Sequence, residues 1–256
     1  MKHSLRSFTP TLCRAMGVPL PKLAKVDPYL DLSNLKTNIT KALLFCPDAF
    51  GNHALKKLPE LHQSIKESST HEVELLSIFP PITPVCFASL FTGATPEEHG
   101  ILHYEKPVLK CDTLFDALIR AGKKVAIVAV KNSSIDILFR ERNLDYFSMD
   151  YDPLVSVKAL ELLSQNKHDV IVVYHQEYDD LLHDSGLFSE LAVKALEHHV
   201  ASWKLLVREA SKAWKQNFLV SFTPDHGGHI DSKNGFGDHG EDSPEDMELR
   251  HFFYIK

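Results

Sequence analysis

Residues 72–101 read EVELLSIFPPITPVCFASLFTGATPEEHGI. The run Glu72–Phe79 is apolar enough for a buried strand and is stopped by Pro80-Pro81. Thr83 then stands directly before Pro84, and proline suits the first position of a helix. Thr83 is therefore expected as the helix N-cap, with the positive end of the helix beside its oxygen. The same strand-then-helix handover recurs along the chain. Ala42–Cys46, Lys124–Val130, Asp169–Tyr174 and Phe218–Phe222 are further short apolar runs with helical stretches between them. Thr113–Ala121 reads as one such helix, ended by Gly122. Leu196, Val200, Trp203, Val207, Ala210 and Trp214 recur at i, i+3/i+4 spacing and give another helix one buried stripe. Alternating strands and helices predict an α/β fold with a mostly parallel central sheet and helices on both faces.

The 256 residues suit one α/β domain, with residues 1–40 as an N-terminal extension packed on it. A hydrophobic content of 44% is ordinary for a globular protein with a full core. The net charge of −6 argues against non-specific binding to nucleic acid or an anionic membrane. No apolar run approaches the length of a membrane span, and Met1–Lys25 carries basic residues without the apolar core of a signal peptide. Cys13, Cys46, Cys86 and Cys111 form no CxxC pair, so reduced thiols and a cytoplasmic location are expected. Fifteen histidines are many. Most are expected on the solvated surface, with His198 and His199 as examples.

In parallel sheets, ligands bind beyond the carboxyl ends of the strands. Asp48 follows the first run in FCPDAFGN, and Thr83 follows the second. Asp179 and His183 follow DVIVVY in HQEYDDLLHDSG, and Asp225 and His226 follow FLVSF in TPDHGGH. His239, in GFGDHGED, precedes the last apolar run. Any one of these is as well explained by a turn or a cap; the set at one sheet edge is not. Asp and His supply the oxygen and nitrogen donors of zinc and similar ions. Asp179 and His183, at i and i+4, share a face if their segment is helical. Two divalent ions would be nearly neutralised by Asp48, Asp179, Asp225 and an ionised Thr83, leaving a site ready to clamp a phosphoryl group.

The segment FPPITPVCFASLFTGATPEEHGI resembles the nucleophile segment of the alkaline phosphatase superfamily, in its nucleotide pyrophosphatase/phosphodiesterase branch. There a Thr precedes a Thr-Gly pair by nine positions, as Thr83 precedes Thr92-Gly93. Pro96–Ile101 resembles the family's Pro-x-x-His-Gly-Ile turn, and DDLLH, TPDHG and GDHGEDSPEDM follow in family order. The resemblance runs from Asp48 to the C-terminus, about four fifths of the chain. It implies two divalent metal ions, zinc first and manganese or iron as alternatives. One would be held by Asp179, His183 and His239, the other by Asp48, Asp225, His226 and the Thr83 oxygen. It further implies that Thr83 attacks phosphorus to form a covalent phospho-enzyme that water then releases, on a small phosphorylated substrate.

The sequence departs from the pattern at Cys86, where phosphodiesterases of the family carry an Asn whose amide helps hold a phosphoryl oxygen. Cys86 is expected either to face the phosphoryl pocket as a weak substrate-binding donor, or to be a small buried hydrophobe packing the helix on the sheet. The proline after the nucleophile also comes one place early. No Cys-x-Pro-x-Arg of the sulfatases is present, and no long insertion separates Thr83 from Asp179 as in the related phosphoglycerate mutases. The expected activity is a phosphodiesterase or nucleotide pyrophosphatase. A phosphomonoesterase or phosphonate hydrolase remains the alternative, and a non-catalytic metal- or phosphate-binding protein is the alternative of another class.

Overall fold

The computed structural model describes residues 2–29 and 39–256. Part of the predicted extension, Met1 and residues 30–38, therefore lies outside the described residues. The strands are β1 (His3–Ser4), β2 (Lys41–Pro47), β3 (His71–Leu76), β4 (Val125–Val130), β5 (Asp145–Met149), β6 (Val170–His175), β7 (Phe218–Phe222), β8 (His229–Ile230), β9 (Gly237–Asp238) and β10 (Glu248–Ile255). Eight of them form one sheet in the order β1-β3-β10-β7-β2-β6-β4-β5, and β8 pairs with β9 apart from it. All pairings in the large sheet are parallel except those of β10, which runs against β3 and β7.

Burial explains the sequence pattern. β4, β6 and β7 are buried at every position, as a strand covered on both faces must be. Along β2 the side chains alternate between two cores. Leu44 and Cys46 join Phe87, Phe91 and Phe115 on one face, while Leu43 and Phe45 join Trp203 and Phe222 on the other. The strand predicted over Glu72–Phe79 ends at Leu76. Ser77 leaves the ladder because its hydroxyl donates to the Asp225 carbonyl at 2.5 Å and its N–H to Met247 at 2.8 Å.

The predicted helix ended by Gly122 spans Leu114–Arg120, with Thr113 as its N-cap in a reciprocal capping box with Asp116. The predicted stripe lies on the helix Glu190–Trp214, and all six of its residues are buried. His198 is exposed there as expected, but His199 is not: it has 0% exposure. At three residues past Leu196 and four before Trp203, His199 falls within the apolar stripe, where a helix of period 3.6 must bury it.

The topology decides where chemistry can sit. β2, β3, β4, β6 and β7 all end at one edge of the sheet. β10 runs the other way and so begins at that edge, which brings the residues just before it there as well.

Candidate active site

Each predicted side chain is carried to that edge by a short connection. Asp48 follows β2 directly and is 1% exposed. Thr83 is the first residue of the helix Thr83–Thr92. The structure corrects its expected place by one position. Ile82, with extended backbone at φ −130° and ψ 141°, is the N-cap, and its carbonyl accepts from Cys86 N–H at 3.0 Å. The Thr83 hydroxyl is therefore not engaged as a cap. It lies 3.2 Å from His226 Nε2 and 3.5 Å from Asp48 Oδ1. Asp179 and His183 lie on the helix Glu177–Ser185, one turn apart.

The seven residues converge. His226 Nε2 is 3.4 Å from Asp48 Oδ1 and 3.5 Å from Asp225 Oδ2. Asp179 Oδ1 is 3.4 Å from His239 Nε2 and 3.6 Å from His183 Nε2. The rings of His226 and His239 are 4.1 Å apart, so the two halves meet. Asp48, Asp225 and His226 form one group able to share a cation, and Asp179, His226 and His239 form another. His226 thus faces both halves, a bridging position that sequence order did not indicate.

The imidazoles are oriented alike. His183 Nδ1 lies 3.1 Å from the Gly237 carbonyl, His226 Nδ1 2.9 Å from that of Gly227, and His239 Nδ1 3.0 Å from that of Pro81. A carbonyl only accepts, so each Nδ1 carries the proton and each Nε2 presents a lone pair to the cluster, as metal-ligating histidines do. Asp179 Oδ1 and Asp225 Oδ2 are buried without a hydrogen-bond partner. Burial, then the charges of Asp225 and Asp179, raises the Asp48 carboxyl. Burial with Asp180 and Asp238 pushes Asp179 up to about 7. Burial followed by Asp179 raises Asp225, while burial drives His226 down to about 4 against the opposing hydrogen bond of the Gly227 carbonyl. Three crowded carboxylates facing three imidazoles form a site that a divalent cation would stabilise in its ionised form.

Cys86 stands apart. It is fully buried, with Sγ 3.3 Å from Ser77 Oγ and 3.8 Å from the Ile78 carbonyl, and it packs the helix onto β3. Of the two expectations for this thiol, the geometry matches the packing one: Sγ faces the core and not the cleft.

Several contributors lie outside the predicted set. The Tyr174 hydroxyl donates to Asp48 Oδ2. In the sequence Tyr174 is one more apolar residue of a strand, and only its polar tip hints at a role. A cleft of about 260 Å³ beside Thr83 and Asp179 is walled by Tyr104, Lys106, Lys131 and Asn132, of which the last two stand directly past the predicted run Lys124–Val130. Lys106 Nζ donates to the Asn132 carbonyl at 2.8 Å, which ties the two cleft segments together.

Residues 42–234 match the family model of type I phosphodiesterase/nucleotide pyrophosphatase. The chain belongs to this family. Among solved structures, murine ectonucleotide pyrophosphatase/phosphodiesterase 5, as an inactive Thr→Ala variant in complex with AMP, superposes with a TM-score of 0.60 at 19% identity, covering 76% of this chain and 59% of that one. The human ectonucleotide pyrophosphatase/phosphodiesterase 5 gives a TM-score of 0.60 at 20% identity, covering 75% and 58%. These likenesses confirm the alkaline-phosphatase-like fold, and the chain spans somewhat under three fifths of the length of those proteins. A comparison with curated proteins gave no match. No helix among the described residues is long and apolar enough to cross a membrane.

Backbone contacts also hold the site. A Cβ at Gly227 would sit 2.0 Å from the Glu245 carbonyl oxygen and 3.3 Å from Gly51 Cα, so the Asp48 and Asp225 loops touch main chain to main chain. Gly227→Ala must push these loops apart. We expect a loss of about 1–3 kcal/mol, typical of overpacking, with weakened metal retention, read by thermal melts and metal analysis.

His99 and His251 brace the same region from behind. His99 Nδ1 accepts from Ile101 N–H at 3.2 Å, leaving Nε2–H for Ser89 Oγ at 2.9 Å. His251 Nε2 donates to the Pro224 carbonyl at 2.9 Å, next to Asp225. Burial holds His99 down at about 4 and His251 at about 3. Each is protonated more readily in the unfolded chain, so stability is full above pH 6.5 and falls as pH drops from there towards 4. Each histidine contributes up to about 1.4 kcal/mol per pH unit in that window. Equilibrium unfolding at pH 7, 6 and 5 should show this decline, with a shallower slope in His99→Gln.

Proposed function

We propose that this protein is a two-metal phosphohydrolase of the phosphodiesterase/nucleotide pyrophosphatase type, with Thr83 as nucleophile and the whole chain as one catalytic unit. The observation that carries the reading is the convergence of seven residues from five chain segments. The Thr83 hydroxyl meets Asp48 and His226, and these join Asp225, Asp179, His183 and His239 in one continuous cluster of three carboxylates and three Nε2 atoms. Asp179, His183 and His239 would hold one ion, and Asp48, Asp225 and His226 the other, with His226 within reach of both. Zinc suits the mixed nitrogen and oxygen donors, ahead of manganese or iron. When bound, the ions would lower the hydroxyl pKa and stabilise charge on the attacking and leaving oxygens.

The chain's own groups account for the rest. Thr83 Oγ1 gives up its proton and attacks phosphorus as the bond from phosphorus to the leaving alcohol or phosphate oxygen breaks; water later attacks the same phosphorus, breaks the bond to Oγ1 and restores the hydroxyl. Tyr174 fixes the carboxylate of Asp48 that faces Thr83. The carbonyls of Gly237, Gly227 and Pro81 hold the imidazoles in one tautomer. That a Thr→Ala variant of the murine relative is inactive supports a threonine at the centre of the reaction. Its complex with AMP supports a small phosphorylated substrate, a nucleotide first. The four free cysteines, three of them buried, support a reducing, cytoplasmic location.

Lys106 and Lys131 favour the second reading, a phosphomonoesterase or phosphonate hydrolase, because a dianionic phosphate gains more from added cations than a diester does. Turnover of chromogenic mono- and diesters by zinc-loaded protein separates the two, and no turnover of either overturns both. With Cys86 turned into the core, Lys131, which lines the cleft beside Thr83, takes the role of the family's amide in this reading. Lys131→Ala should lower kcat/KM by about ten- to a hundredfold, leaving metal content unchanged.

A further inference from the structure

His175 closes β6 and points to the sheet face opposite Tyr174, away from Asp48 and into the core shared with Phe45 and the helix Glu190–Trp214. There it meets His199 and Asp152, both 5% exposed or less. His199 Nε2 is 3.2 Å from Asp152 Oδ2, and His175 Nδ1 is 3.6 Å from the same oxygen. All three residues place a ligand atom within 4.8 Å of the others.

We propose that Asp152, His175 and His199 bind a third divalent cation, zinc by its donor set, at a structural site separate from the Thr83 cluster. The spacing fits: ligand atoms around a tetrahedral zinc lie about 3.3 Å apart, given bonds of about 2.0–2.1 Å. The outer contacts of Asp152 and His175 fit too, while the outer Nδ1 of His199 is buried without a partner. Asp152 Oδ1 accepts from Gln176 N–H and Oδ2 from Glu177 N–H, each at 3.0 Å, which locks the carboxylate. His175 Nε2 lies 3.1 Å from Ser156 Oγ, and Ser156 Oγ lies 3.4 Å from Ser202 Oγ. With its proton donated to Ser156, His175 aims a bare Nδ1 lone pair at a carboxylate oxygen inside the core. That nitrogen is buried and has no hydrogen-bond partner.

The opposite tautomer leaves Nδ1–H 3.6 Å from its acceptor, too far for a hydrogen bond. A cation between the three groups removes the conflict. Two imidazoles select zinc over magnesium or calcium. A cavity of about 220 Å³ lined by Asp150, Asp152, Glu177 and Asp180 adjoins the cluster, giving an acidic entry path and room for a water as fourth ligand. A bound ion would fasten the end of β6 to the helices Asp152–Gln165 and Glu190–Trp214, directly behind the turn that carries Asp179.

The test is anomalous diffraction at the zinc edge on crystals of the zinc-loaded protein, with metal analysis of gel-filtered protein alongside. The expected result is a peak bonded to His175, His199 and Asp152, and one zinc fewer per chain in folded His199→Gln. No peak there while the Thr83 cluster is occupied overturns the proposal and leaves the catalytic reading intact. A peak there with the Thr83 cluster vacant does the reverse. If His199→Gln fails to fold, the wild-type map decides alone.

Discussion

Thr83→Ala should abolish turnover, by at least about a thousandfold, while the protein remains folded and keeps its metal. The two parts of this outcome have separate origins. Chemically, the substitution removes the one hydroxyl that lies within 3.5 Å of both His226 and Asp48. Structurally, that hydroxyl carries little. Ile82 is the N-cap, so no capping bond is lost and stability should change by well under about 1 kcal/mol. The remaining carboxylates and imidazoles keep their positions because backbone carbonyls and Tyr174 hold them. Single-turnover assays with a chromogenic diester, set beside metal analysis and a thermal melt, measure all three quantities. Full activity in the variant would show that water attacks directly and that no phospho-enzyme forms on Thr83.

The contrast between Thr83 and Cys86 shows what could be read from the chain before its fold was known. Both lie in the segment after β3, and both were assigned by position against a family pattern. Thr83 reached the cluster because the strand-to-helix handover fixes the first turn at the sheet edge, and that handover is written in proline spacing and apolar runs. The direction in which Cys86 points depends on the rotation of the helix about its axis and on Ser77, which leaves the ladder to bond with Asp225 and Cys86. No local pattern encodes that rotation. The convergence of Asp48, Asp179, Asp225 and His226 was legible for the same reason as that of Thr83: each stands within a few residues of a strand end. His239 was legible only by order, since its arrival depends on β10 running antiparallel.

The cleft wall was legible only in part. Lys131 and Asn132 stand directly past the apolar run Lys124–Val130, where ligands of a parallel sheet bind, whereas Tyr104 and Lys106 come from a loop whose path is set by packing rather than by periodicity. His199 shows the converse error. It was read as solvated because it neighbours His198, although its spacing from Leu196 and Trp203 already placed it in the buried stripe. A polar residue at an apolar position of a helix was the signal, and it leads to the second cluster.

Asp225→Asn should have effects of opposite sign on function and on the stability of the metal-free protein. Asp225 is completely buried, and its Oδ2 has no hydrogen-bond partner among the described residues. Burial raises all three carboxyls; the charges of Asp225 and Asp179 add to it at Asp48, that of Asp179 at Asp225, and those of Asp180 and Asp238 at Asp179. With ions bound, those charges are neutralised and the site is stable. Without ions, three ionised carboxylates share one low-dielectric space, and one must take up a proton. An amide of the same shape removes one charge and keeps the acceptor for Ala49 N–H, which now lies 3.4 Å from Oδ1. The metal-free variant should therefore melt several degrees above the metal-free parent near neutral pH, where the parent still carries the repulsion. The difference should shrink as pH falls from about 7 towards about 4, because the raised carboxyls of the parent take up protons across that window. In zinc the order should invert, because the parent gains binding energy that the variant cannot. Turnover should fall by at least about a hundredfold, as expected when a preorganised charge is lost from the reacting centre. Thermal melts of both proteins with and without chelator, across pH 5 to 8, test each of these signs. A metal-free variant no more stable than its parent would mean that the carboxylates are held by protons or hydrogen bonds rather than by the ions, and the metal assignment of Asp225 would fail with it.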